Sequence, residues 1–140
     1  MKIALGSDHA GYELKEKIKE VLRERNIGFQ DFGPFSAESV DYPDFGHKVG
    51  ESVNSGEFER GIAICGSGNG INMTVNKYKN VRAALCWTNE ICELARQHND
   101  ANVLSIPARF ISEEVALEIV STYIDTKFEG GRHERRVNKI

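Results

Sequence analysis

The chain alternates short apolar runs with segments whose apolar positions recur every three or four residues, and that rhythm predicts strands and helices in turn. Lys2–Gly6 reads as a strand, and Glu13–Arg25 as a helix with Leu14, Ile18, Val21 and Leu22 along one stripe. Gly28–Phe32 reads as a second strand. A second helix starts at Pro43, carries Phe45, Val49 and Val53, and stops before Gly56. Gly61–Cys65 is a third strand, and a weaker helix runs from Gly70 toward Tyr78. Val81–Cys86 is a fourth strand; Thr88 can cap a helix through Ile91, Leu94, Ala95 and His98. Val103–Ile106 is a fifth strand, stopped by Pro107, and Ser112 can cap a last helix bearing Val115, Ile119, Val120, Tyr123 and Ile124.

Strands that alternate with helices imply right-handed crossovers. The expected fold is α/β: a single-domain three-layer α/β/α sandwich over residues 1–140, with a five-stranded, mainly parallel, Rossmann-like sheet. Ligands bind such sheets beyond the C-terminal strand ends, where strand order reverses. Polar residues gather there after strand one (Ser7-Asp8-His9) and after strand three (Cys65–Gly70). His98-Asn99-Asp100 lies at a helix end instead, which raises the possibility of a site shared between subunits.

The segment Cys65-Gly66-Ser67-Gly68-Asn69-Gly70 carries the most chemistry. Glycine lets a backbone turn sharply and bring its N–H groups against a ligand. A helix starting near Gly70 would aim further N–H groups and its positive end at the same place, holding an oxyanion and lowering the pKa of Cys65. A phosphatase loop of C-x5-R type would need arginine where Ile71 stands. The glycine spacing fits neither a dinucleotide fingerprint nor a P-loop.

The net charge of −3 argues against nucleic-acid binding. Residues 127–140 nevertheless hold five basic and two acidic side chains, a basic tail on an acidic body that suits a small anionic ligand. Arg132 and Arg136 would share a face over one helical turn, and arginine suits phosphate. Three cysteines without C-x-x-C spacing indicate no disulfide framework, and Cys86 and Cys92 read as core residues. The expected compartment is a reducing cytoplasm. No signal peptide, membrane span or zinc-ligand spacing is read.

Together Gly6-Ser7-Asp8-His9-Ala10-Gly11, Asp41-Tyr42-Pro43, Cys65–Gly70, Asn76-Lys77, Arg96–Asp100 and Glu129–His133 resemble the type B ribose-5-phosphate isomerases, a family shared with galactose-6-phosphate isomerase subunits. The resemblance implies cofactor-free, metal-free interconversion of an aldose phosphate and a ketose phosphate through an enediol or enediolate. Cys65 is then the base, with the backbone of Gly66, Gly68, Asn69 and Gly70 stabilising the oxyanion. Asp8, Ser67 and His98 share the acid–base work of ring opening; Asn99 positions sugar hydroxyls or the enediolate, and Tyr42 lines the pocket. His9, Arg132 and Arg136 bind phosphate, and His98, Arg132 and Arg136 come from the partner of a homodimer. Relatives often carry threonine where Ser67 stands. A second branch replaces the cysteine by a glutamate at the position of Ile71, so this chain falls in the cysteine branch. The alternatives are a six-carbon sugar-phosphate isomerase and a non-catalytic sugar-phosphate-binding protein.

Overall fold

A computed structural model describes all residues, 1–140. Five strands form one sheet: β1 (Lys2–Ser7), β2 (Gly28–Asp31), β3 (Arg60–Cys65), β4 (Ala83–Leu85) and β5 (Val103–Pro107). The order is β2-β1-β3-β5-β4 and every pairing is parallel. The helices are α1 (Tyr12–Glu24), α2 (Tyr42–Asn54), α3 (Asn69–Val75), α4 (Asn89–Asn99), α5 (Glu113–Asp125) and α6 (Arg132–Val137).

Period-two alternation along the strands divides the core into two layers. Ile3, Leu5, Ile62, Ile64, Leu104 and Ile106 face α1, α4 and α5, where they meet Ile18, Leu22, Cys92 and Ile119. Ala4, Ala63, Cys65 and Val103 face the other way, against Val49 and Val53 of α2 and Ile71 and Val75 of α3. Each fully buried Ile or Leu contributes about 1.5–3 kcal/mol. Cys86 and Cys92 sit in the first layer, 1% and 0% exposed, as core residues.

The caps follow the sequence. Thr88 Oγ1 accepts the Ile91 N–H at 3.2 Å, and Ser112 Oγ accepts the Val115 N–H at 3.1 Å. Two elements are shorter than the apolar pattern suggests, for one reason. Asn76 Oδ1 accepts the Ala83 N–H at 2.9 Å and its Nδ2 donates to Ala83 O at 3.1 Å. That side chain occupies the free edge of β4 and ends α3 at Val75, well before Tyr78. Asn102 Oδ1 takes the Arg82 N–H at 2.7 Å, so the ladder of β4 begins only at Ala83. The basic tail, beyond the expected five helical segments, adds α6.

The crossovers leaving β1 and β3 diverge, one through α1 to the β2 edge and the other through α3 toward β4. Their C-terminal ends therefore flank the switch point, where a crevice opens.

Candidate active site

Ser7 pairs with Ile64 in the sheet, and the Asp8 N–H donates to Ile64 O at 3.0 Å. Asp8 is thereby set beside Cys65. Its carboxylate also accepts the Gly11 N–H at 3.1 Å, capping a 3-10 turn at His9–Gly11. His9 Nδ1 lies 3.2 Å from Val40 N and 3.3 Å from Val40 O, so the backbone of Val40 holds the ring through that nitrogen. The loop leading to Val40 and Tyr42 is anchored at its start, at Pro34. Fully buried Lys15 donates to both oxygens of Asp31 at 2.7 and 2.6 Å and to Pro34 O at 2.9 Å.

Cys65 ends β3 on the α2–α3 side and is 4% exposed. Gly68 turns the chain into α3 at φ +76°, where a side chain would strike Leu85 and the β5 backbone. A Cβ on Gly70 would overlap Tyr42 Cζ, so the tyrosine ring rests directly on the loop. Backbone N–H groups of Ile71, Gly68 and Gly70 face the Cys65 sulfur. Ser67 and Asn69 are exposed and line an open cleft of about 250 Å³ with Trp87 and Phe110.

One expectation is corrected. Burial pushes the Cys65 thiol above its ordinary value; the Ile71 and Gly68 N–H groups oppose this, and the Asp8 carboxylate adds to it. In the single subunit the pKa is raised rather than lowered, because burial and a neighbouring anion outweigh the loop dipoles.

Arg109 is the residue missed in the sequence. Its N–H donates to Gly66 O at 3.0 Å, and its guanidinium lies 3.3 Å from where a Cβ on Gly66 would be. It is exposed and has no carboxylate within salt-bridge reach. Its signal was positional: it closely follows β5, the neighbour of β3.

The remaining expected residues gather elsewhere. α4 follows the C-terminal end of β4 and runs back toward the strand starts, so His98 and Asn99 lie at the opposite end of the sheet from Cys65. A strand of five residues places these ends roughly 16 Å apart. The tail joins them there, with the Glu129 N–H donating to Gln97 O at 3.0 Å. His98 stacks on His133 with ring centroids 4.1 Å apart and planes 12° from parallel. Arg132, Arg136 and Asn99 are exposed, and neither arginine has a carboxylate partner. The largest cavity, about 610 Å³, is at this end beside Arg82, Asn99 and Ile140, whereas neither Cys65 nor Asp8 lines an enclosed one. The structure thus gathers Asp8, His9, Tyr42 and Cys65–Gly70 in one place and His98, Asn99, Arg132 and Arg136 in another.

Residues 3–140 match the family described as Ribose/Galactose Isomerase. This chain belongs to that family. It is 42% identical to ribose-5-phosphate isomerase B of Escherichia coli over 139 residues, covering 99% of this chain and 93% of that one. Ribose-5-phosphate isomerase B of Clostridium thermocellum superposes with a TM-score of 0.97 at 50% identity, over 99% of this chain and 94% of that one. The Mycoplasma genitalium ribose-5-phosphate isomerase B, solved with bound ribulose-5-phosphate, gives 0.95 at 41% identity, covering 99% and 92%. Membership makes this chain an aldose–ketose isomerase of sugar phosphates.

Proposed function

We propose that this protein interconverts ribose 5-phosphate and ribulose 5-phosphate in the cytoplasm, as a homodimer whose active sites each span two subunits. The observation that carries the reading is the separation of the two half-sites. The loop end has a base and an oxyanion cradle with the unpaired cation Arg109; the tail end has an acid–base histidine and unpaired arginines facing solvent, Arg132 and Arg136 among them. A second copy docked on the crevice brings residues 127–140 of one chain to Cys65 of the other.

The chemistry needs no more than these groups. Ring opening removes the proton of the C1 hydroxyl, its electron pair forms the C1 carbonyl, and the C1–O4 bond pair passes to O4, which is protonated. His98 of the second copy, Asp8 and Ser67 share these transfers. The Cys65 thiolate then takes the C2 proton; the C–H pair forms the C1–C2 double bond and the carbonyl pair moves to O1. Loop N–H groups hold that oxyanion, an arrangement in which one donor is worth about 10²–10³ in rate. Transfer of the O2 proton to O1, followed by return of the proton from the Cys65 thiol to C1, leaves the ketose. Asn99 and Tyr42 position the sugar, and His9, Arg109, Arg132 and Arg136 bind the phosphate. Those cations, brought near Cys65, also favour the thiolate that a lone subunit disfavours.

Ketose formation from ribose 5-phosphate by the purified chain tests the reading. A kcat/KM higher for allose or galactose 6-phosphate than for ribose 5-phosphate would replace it with six-carbon isomerisation, and binding without turnover of any of them would make the protein a sugar-phosphate binder.

A further inference from the structure

Glu129 and His133 have no part in the steps above, yet they are the side chains that touch His98. Glu129 Oε1 lies 3.4 Å from His98 Nε2 and 4.0 Å from His133 Nε2. His133 is buried on α6, a helix of only six residues near the chain end, while Arg132, Glu134, Arg135 and Arg136 around it are exposed. Its ring is the surface on which His98 stacks. Burial first, then His98 and Arg132, hold the His133 imidazole below its ordinary value, so His133 is neutral at neutral pH.

The three groups present their ligand atoms within 4.8 Å of one another, as a metal site would. The stacking argues against an ion. A metal about 2 Å from each imidazole nitrogen must lie near the plane of each ring. Two nearly parallel planes with centroids 4.1 Å apart offer no such point. The Glu129 carboxylate lies within ion-pair reach of His98 Nε2, at the long end for a hydrogen bond.

We infer that Glu129 and His133 are positioning residues for His98: Glu129 accepts the Nε2 proton, leaving Nδ1 as the free base toward the sugar, and His133 fixes the plane of the ring. The inference rests on the reading of His98 as an acid–base group in ring opening. A hydrogen bond to one imidazole nitrogen decides which tautomer the other presents. A fixed carboxylate also compensates the charge that appears when Nδ1 takes the C1 hydroxyl proton. The Glu129 N–H bond to Gln97 O holds the carboxylate's own backbone beside the histidine it serves.

Ring opening is required to isomerise ribose 5-phosphate but not to exchange the C1 protons of ribulose 5-phosphate, which is open-chain, with solvent deuterium. The test measures both reactions and the dimer content in E129A, E129Q, H133A, H133F and H98A, and the nitrogen NMR of His98 in the four variants that keep it. Losing such an outer partner costs about 10–100-fold, so E129A should lose roughly tenfold or more of ribose 5-phosphate turnover while keeping its deuterium exchange. Its His98 spectrum should lose the Nε2–H tautomer. E129Q retains an accepting oxygen and should recover most turnover, and H133F should exceed H133A. Parental turnover in E129A, an equal loss of turnover and exchange in a folded dimer, or an unchanged His98 tautomer would overturn the inference. H98A separates the two levels. Parental turnover there would overturn the acid–base reading of His98 itself, whereas an impaired H98A beside a parental E129A would overturn only the role of Glu129.

Discussion

The Gly61 N–H donates to Asn102 O at 2.9 Å. This bond ties the turn after α4 to the start of β3, the strand that ends in Cys65. His98, four residues before Asn102, is therefore held at the far end of the strand from the Cys65 thiol. No side-chain rotation closes a gap of roughly 16 Å, the length of that strand. The separation is a property of the topology, and the proposed reaction therefore calls on a second chain.

Replacing the base tests its role directly. Cys65→Ala should lower kcat by roughly 10²–10⁴, the usual worth of a positioned proton-transfer group. Ribulose 5-phosphate binding, read by calorimetry, should persist because the loop backbone and arginines remain. Turnover near the parental rate would remove Cys65 from this role.

The phosphate cations should act on binding. Arg136→Ala and Arg109→Ala each remove a charged hydrogen bond worth about 1.5–3 kcal/mol, a rise in KM of about 10- to 100-fold. An unchanged KM in either variant would take that arginine out of the phosphate site. The double variant Arg132→Ala/Arg136→Ala should also raise the Cys65 pKa, followed by thiolate ultraviolet absorbance, since the proposed site would lose two of its cations.

Lys15 and Asp31 make a stability prediction. Burial alone would push the Asp31 carboxyl up, but hydrogen bonds from Lys15 and Lys19 and the Gly33 N–H outweigh it and hold the pKa below 3.8. A carboxyl lowered on folding adds stability that is complete above its unfolded pKa and lost as pH falls through the folded one. Unfolding should therefore become easier as pH drops below about 4. Lys15→Met leaves a half-paired carboxylate and should cost about 3 kcal/mol in urea unfolding. Most of the acid sensitivity should disappear in Lys15→Met/Asp31→Asn.

His133 sets a second pH limit, on the tail. Its pKa is lowered from 6.5, so its contribution is complete above 6.5 and lost as pH falls through the lower folded value. Acidification should release α6 from α4, seen as lower amide protection factors over residues 129–138. His133→Phe should abolish that dependence.

Much of this was legible in the chain. The strands showed as apolar runs because parallel strands are covered on both faces, and Thr88 and Ser112 announced their helices by capping chemistry. The ordered motifs around Asp8, Cys65, His98 and Arg132 marked the family. Other features depend on contacts distant in sequence. Arg109 becomes visible only when β5 lies beside β3, and the edge bonding of Asn76 that shortens α3 and borders β4 has no periodic signature. The raised Cys65 pKa was misjudged for a similar reason: the glycine loop advertises N–H donors, while burial and the nearness of Asp8 emerge only from the fold.

The most direct test of a site built from two chains is complementation. Cys65→Ala and His98→Ala proteins, each inactive alone, are unfolded together, refolded and assayed with ribose 5-phosphate. Random pairing in a two-fold dimer gives mixed dimers with one intact site each, or about a quarter of the parental activity. Recovery near that level is the predicted result. Confirmed mixed dimers with no activity would contradict the shared site.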